Sequence, residues 1–159
     1  MKKIIILCFI FFTLPLFASC SNNTYINETK LGNEQAIEIL RCFDENDKQA
    51  LKSLFCEQSI ETYDIDKEIE EAMSFYVGKC IGHDNISIND GGKREHGVIV
   101  DSHIEYLINN IKTDKGSEYT IVTHSYIVYQ RNPKCVGITY LKIINNETDE
   151  MVQIGEYVH

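Results

Sequence analysis

Gly97 to Gln130 reads GVIVDSHIEYLINNIKTDKGSEYTIVTHSYIVYQ. Two long runs alternate apolar with polar residues, and Asp114-Lys115-Gly116 divides them. An alternation of period two marks a strand with unlike faces, and a short polar segment with glycine between two such runs marks a hairpin. The stretch therefore predicts two long antiparallel strands, Gly97 to about Thr113 and Glu118 to Gln130. If the turn is centred on Lys115, paired residues have numbers that sum to about 230. One face then carries Val98, Val100, Ser102, Ile104, Tyr106 and Ile108 opposite Val122, His124, Tyr126 and Val128. The other carries Asp101, His103, Glu105 and Asn109 opposite Ile121, Ser125 and Tyr129. A slip of one residue would exchange these partners.

Downstream, Arg131-Asn132-Pro133 ends the second strand and Cys135 to Asn145 predicts another. Met151 to His159 is either a short edge strand or a fraying end. Upstream, Ile81 to Asn89 predicts a strand ended by an Asp90-Gly91-Gly92 turn, in a polar region holding His83, Lys93, Arg94 and His96. That region reads as a solvated loop, with a recognition edge as its rival.

Before Lys79 the period is helical. Asn33 is placed to cap a first helix carrying Ala36, Ile37, Leu40 and Phe43 on one side. Asp47 caps a second, Lys48 to about Glu57, with Ala50, Leu51, Leu54 and Phe55 on one face. A third runs from about Ile65 to Val77, with Ile69, Ala72, Met73 and Tyr76 as its stripe and Gly78 as its stop. Its remaining charges read as a solvated face. Helices first and strands after predict one α+β domain, residues 33–159. Its N-terminal helices cover one face of a curved antiparallel sheet of about four strands.

Asp47 with Ala50-Leu51-Lys52-Ser53-Leu54-Phe55, then Ile65, Ile69, Phe75-Tyr76, Gly78 and Gly137-Ile138, resembles an uncharacterised family of bacterial lipoproteins that carry a domain of unknown function. The resemblance spans roughly residues 33–145. It implies a nuclear-transport-factor-two-like, or cystatin-like, fold: a cone of curved sheet around helices. It implies no catalytic residue and no cofactor, and the wider fold class hosts enzymes, binding domains and assembly modules alike.

On the predicted pairing His124 lies beside Tyr106 and Tyr126 in apolar company, and Tyr140 on the next strand could join them. This is a candidate pocket in which His124 serves as general base or ligand donor. The plainer alternative is a buried histidine satisfied by a tyrosine hydroxyl. Asp101, His103 and Glu105 alternate on one strand and could offer two or three metal ligands, or form an exposed polar face. No nucleophile elbow, P-loop, dinucleotide fingerprint or C-x-x-C pair is present.

The chain begins with Met1-Lys2-Lys3 and an apolar run, Ile4 to Leu14, too short for a comfortable membrane span of roughly 20 residues. Phe17-Ala18-Ser19-Cys20 follows. Small residues directly before a cysteine fit the cleavage and lipidation site of bacterial lipoproteins, although Phe17 stands where Leu is usual. Residues 1–19 then form a signal peptide. Cys20 carries the acyl chains that hold the protein to the extracytoplasmic face of a cell membrane, and residues 20–32 form a polar tether. About ten flexible residues would reach roughly 15–20 Å.

Removing residues 1–19 takes two lysines and no acids, which moves the net charge from −9 to −11. Such acidity argues against nucleic acid and against lying flat on anionic lipid. The extracytoplasmic setting permits disulfides among Cys42, Cys56, Cys80 and Cys135, but Cys42 and Cys56 fall on helix cores as small hydrophobes. The leading expectation is a binding domain for an unidentified small ligand or partner protein, working through the cone mouth or the exposed sheet face. That face could also pair two copies. The runner-up is a small hydrolase or isomerase using the His/Tyr pocket, and a third is an accessory lipoprotein without any ligand.

Overall fold

A computed structural model describes residues 26–158. The signal stretch, Cys20 and the first part of the tether lie outside the described residues, as does His159. Four helices, α1 (Glu28–Glu45), α2 (Lys48–Ser53), α3 (Glu57–Thr62) and α4 (Ile65–Phe75), precede six strands: β1 (Cys80–Gly82), β2 (Ser87–Glu95), β3 (Val98–Thr113), β4 (Glu118–Tyr129), β5 (Gly137–Asn145) and β6 (Met151–Gly155). The strands form one antiparallel sheet, β3-β4-β5-β6, with β1 and β2 both pairing along the free side of β3. The fold is α+β as the periodicity predicts, with six strands rather than four.

The helices lie on one face. Ile39, Leu51, Ile65 and Ile69 meet Ile104, Ile108, Ile121, Leu141 and Ile143 in a core from which water is excluded. Aliphatic side chains of this size each gain about 1.5–3 kcal/mol on full burial. Asp47 and Asp64 accept from the third backbone amide of α2 and α4, as N-caps do.

The helix boundaries differ from expectation in two places. Asn27, not Asn33, caps α1, so the last residues assigned to the tether are helical. Gly32 is an interior residue packed against Ile88 and Ile104 rather than a breaker. The expected second helix divides because Phe55 leaves it to bridge Ile138, with Ile138 N donating to Leu54 O and Cys56 N to Ile138 O. The four described cysteines are free thiols.

The expected first strand also divides. Asp90-Gly91-Gly92 is not a turn; it lies in the middle of β2. The chain reverses instead at His96-Gly97, both at positive φ (51° and 83°), a two-residue hairpin loop of the kind that matches strand twist.

The decisive difference is in register. Near the turn, Lys112 pairs with Glu118 and Ile111 with Tyr119, as expected. At Asn109 and Asn110 the register shifts, and from Ile108↔Ile121 to His103↔Tyr126 every pair lies one residue away from expectation. Asn110 has φ 51°, and its side chain donates to Asp84 at 2.7 Å while Asp84 N donates to Asn109 O, so contacts from the β1–β2 connection fix this bulge. A bulge of one residue moves partners to the opposite face. Tyr106 consequently pairs with Thr123 under the helices, and His124 pairs with Glu105 on the face the helices leave open.

Candidate functional site

The open face collects six rings. His103 comes from β3, His124, Tyr126 and Tyr129 from β4, Tyr140 from β5, and Tyr157 from the segment after β6. His124 is at the centre. Its ring centroid lies 4.7 Å from Tyr157, 4.9 Å from Tyr126, 5.5 Å from His103 and 6.0 Å, stacked, from Tyr140. Tyr129 stacks on Tyr126 at 4.5 Å. A second register shift in β4 lets Tyr126 and Tyr129, three residues apart, face the same way. Offset-stacked and edge-to-face ring pairs of this kind are each worth about 0.5–1.5 kcal/mol beyond their buried area.

Of the expected pocket residues, the structure brings together His124, Tyr126 and Tyr140. Tyr106 does not join them. It is fully buried among the helix-side core residues, where burial raises its phenol pKa. Three rings outside the expected pocket complete the cluster: Tyr157, whose hydroxyl lies 3.0 Å from that of Tyr126, His103, and Tyr129 stacked on Tyr126.

His124 is only 1% exposed. Its Nδ1 lies 2.8 Å from Thr139 Oγ1, and the Thr139 hydroxyl donates to the His124 carbonyl at 3.4 Å. Thr139 thus engages Nδ1, which leaves Nε2 as the second ring nitrogen. That Nε2 is buried without a partner. Burial, then repulsion from His103, lowers the His124 pKa to about 4, against the opposing pull of Asp101. The ring is neutral at physiological pH.

His103 is different. Its side chain is 33% exposed and its Nδ1 meets Asp101 Oδ1 at 3.1 Å. Across the strand it lies over Gly91, where an added Cβ would stand 2.6 Å from Nε2. The glycine inside β2 makes room for the imidazole, which is why a turn-forming sequence occupies a strand. Asp101 carries this arrangement to the edge of a cleft of about 370 Å³, lined also by Lys93, Glu95, Val100, Tyr129 and Arg131. Lys93 bonds to Glu95 at 2.7 Å and holds that carboxyl below its ordinary pKa. The cleft thus offers one aromatic wall and polar groups of both signs, features that orient a small ligand. Asp101, His103 and Glu105 do not converge on one point, and among the described residues no group of three His, Cys, Asp or Glu side chains is arranged to hold a metal ion.

No curated protein matches the chain. A family model described as a domain of unknown function, DUF5104, matches residues 38–146, which covers all four helices in part or whole and five of the six strands. The chain belongs to this DUF5104 domain family.

Proposed function

We propose that this protein is a membrane-anchored extracytoplasmic binding domain, lipidated on Cys20, with a nuclear-transport-factor-two-like body that takes a small ligand or partner protein on its open sheet face. The observation that carries the reading is the ring cluster on that face, which continues through Tyr129 and Asp101 into the 370 Å³ cleft. Aromatic surface left accessible beside convergent polar groups favours recognition. Helices on one side of an antiparallel sheet support the cone-like fold, and the small residues before Cys20 support the anchor. Among the described residues no helix is long and apolar enough to cross a membrane.

The rival reading, a hydrolase or isomerase working through His124, needs that imidazole to meet a substrate. It is sealed beneath tyrosines, and its low pKa makes it a weak base. The binding reading is preferred on that ground.

A photo-reactive phenylalanine analogue placed at Tyr129 of the anchored protein in its own cells tests the proposal, with the same analogue at exposed Gln49 on α2 as control. A discrete adduct is expected at position 129 and not at 49. Its mass separates a small ligand, a partner protein and a second copy. No adduct at 129, or the same products from both positions, would contradict the reading.

A further inference from the structure

Five of the six rings on the open face stand on strands of the sheet, and Tyr157 does not. Gly155 ends β6 at φ +67°, and residues 156–158 leave the sheet as a segment that is neither helix nor strand. That segment lays the Tyr157 ring over His124, with centroids 4.7 Å apart and planes inclined at 58°. The Tyr157 hydroxyl meets that of Tyr126 at 3.0 Å, and the neighbouring Glu156 holds to the Tyr63 hydroxyl. Tyr157 is 49% exposed, whereas His124 beneath it is 1% exposed and Tyr126 4%. Tyr157 is therefore a cover, wet on one side, and not a core residue.

The rings under the cover form a slot for one aromatic group. His124 and Tyr126 meet edge to face at 84°, so they offer a ring face and a ring edge to a third ring. The Tyr126 hydroxyl supplies a polar end, and Tyr157 uses all three features. The slot adjoins the 370 Å³ cleft, because Tyr129, which lines that cleft, stacks on Tyr126 at 4.5 Å.

We propose that Tyr157 stands in for a ligand: the slot over His124 takes a hydroxylated aromatic ring, and residues 156–158 are a strap that closes the slot when no ligand is bound. The site is that of the open-face reading, on which this proposal rests, and the proposal gives that face a ligand class. The incoming ring packs on His124 and shares a hydrogen bond with the Tyr126 hydroxyl, as Tyr157 does in the closed form. Such a ring comes as a small phenol or as a tyrosine of a partner chain. The strap is an internal competitor. One phenol–phenol hydrogen bond and a few ring contacts hold it, which favours closure about tenfold and weakens the apparent affinity by the same factor.

The test has two arms. In the first, the full-length protein in detergent is titrated with p-cresol and followed at the isotope-labelled His124 ring. The Tyr157→Ala protein should bind p-cresol about tenfold more tightly than the wild type. Toluene, which lacks the hydroxyl, should bind that variant about fivefold more weakly than p-cresol, and adding Tyr126→Phe should erase the difference. Tyr157→Phe keeps the covering ring but loses the bond to Tyr126, so it should bind p-cresol with intermediate affinity, and it serves alone if Tyr157→Ala does not fold. In the second arm, the photo-adduct at position 129 is collected from cells carrying Tyr157→Ala, with and without p-cresol. Suppression of the adduct is expected, and the adduct's mass tells a small phenol from a tyrosine-bearing chain. An adduct that p-cresol leaves intact would overturn the strap and spare the open-face reading. No adduct at 129 in either protein would overturn that reading and the strap with it. Binding of p-cresol no tighter to Tyr157→Ala and Tyr157→Phe than to the wild type, or toluene binding as well as p-cresol, would also overturn the proposal.

Discussion

Gly155→Ala is expected to destabilise the domain by about 2–4 kcal/mol, as read by chemical denaturation. Gly155 ends β6 at φ +67°, and a Cβ there would stand 2.3 Å from the Thr139 carbonyl oxygen. Neither neighbour is free to give. Thr139 O accepts from Ser59 at 3.0 Å, and Gly155 N donates to Glu68 on α4 at 2.8 Å. The substitution therefore forces β5 from β6 at the point where the sheet is tied to two helices. It also displaces the segment that brings Tyr157 over His124, so the tyrosine near-ultraviolet dichroism should weaken. Gly116→Ala is the control. Its φ is +87°, but nothing lies within 4 Å of the added carbon, so only the conformational cost of about 1 kcal/mol applies. Equal losses at the two positions would show that close packing at Thr139 is not what holds this corner.

Stability should fall by about 3 kcal/mol more in the wild type than in His124→Phe as the pH drops from 7 to 4. In the unfolded chain this histidine takes a proton near its ordinary pKa of 6.5, whereas in the fold it resists protonation until about 4. Below 6.5 the unfolded state therefore binds more protons, protonation favours unfolding, and the loss levels off only below pH 4, once the folded state is protonated as well. Acidic groups whose pKa values are lowered by their partners, Glu38, Asp47, Glu70 and Glu95, also weaken the fold in acid, but they are common to both proteins. The difference between the two pH profiles isolates His124. Parallel profiles would mean that water reaches the imidazole despite its ring cover. The stability at pH 7 carries separate information. His124→Phe forfeits the bond to Thr139 but also removes an unpartnered buried nitrogen, so the two effects oppose each other.

The same residue shows what the sequence made legible. Long alternation located β3 and β4 within a residue or two, and capping aspartates located α2 and α4, because these signals are local. Register is not local. It depends on one extra residue at Asn109-Asn110, and that bulge is held by Asp84, which lies 26 positions from Asn110 in the chain. Without that contact in view, Tyr106 and His124 belong to one face; with it, they lie on opposite sides of the sheet. The aromatic cluster survived in part because His124, Tyr126 and Tyr140 shift together. Tyr157 was not legible, since nothing in a nine-residue ending announces that it folds back over β4. Gly91 and Gly92 misled for a related reason. Glycine marks a turn when read alone, but here it clears space for the His103 ring and for the Asp101 carbonyl, 2.5 Å from where a Gly92 Cβ would stand.

Both proposals gain their meaning from where the domain works, and that rests on Cys20. The mass of the mature N-terminus, measured on protein extracted from the membranes of its own cells, tests this most directly. A chain that begins at Cys20 and carries a diacylglyceryl thioether is expected, together with a Cys20→Ala protein that leaves the membrane fraction. A mature chain with an unmodified Cys20 thiol, or one cut elsewhere and recovered free of the membrane, would contradict the anchor.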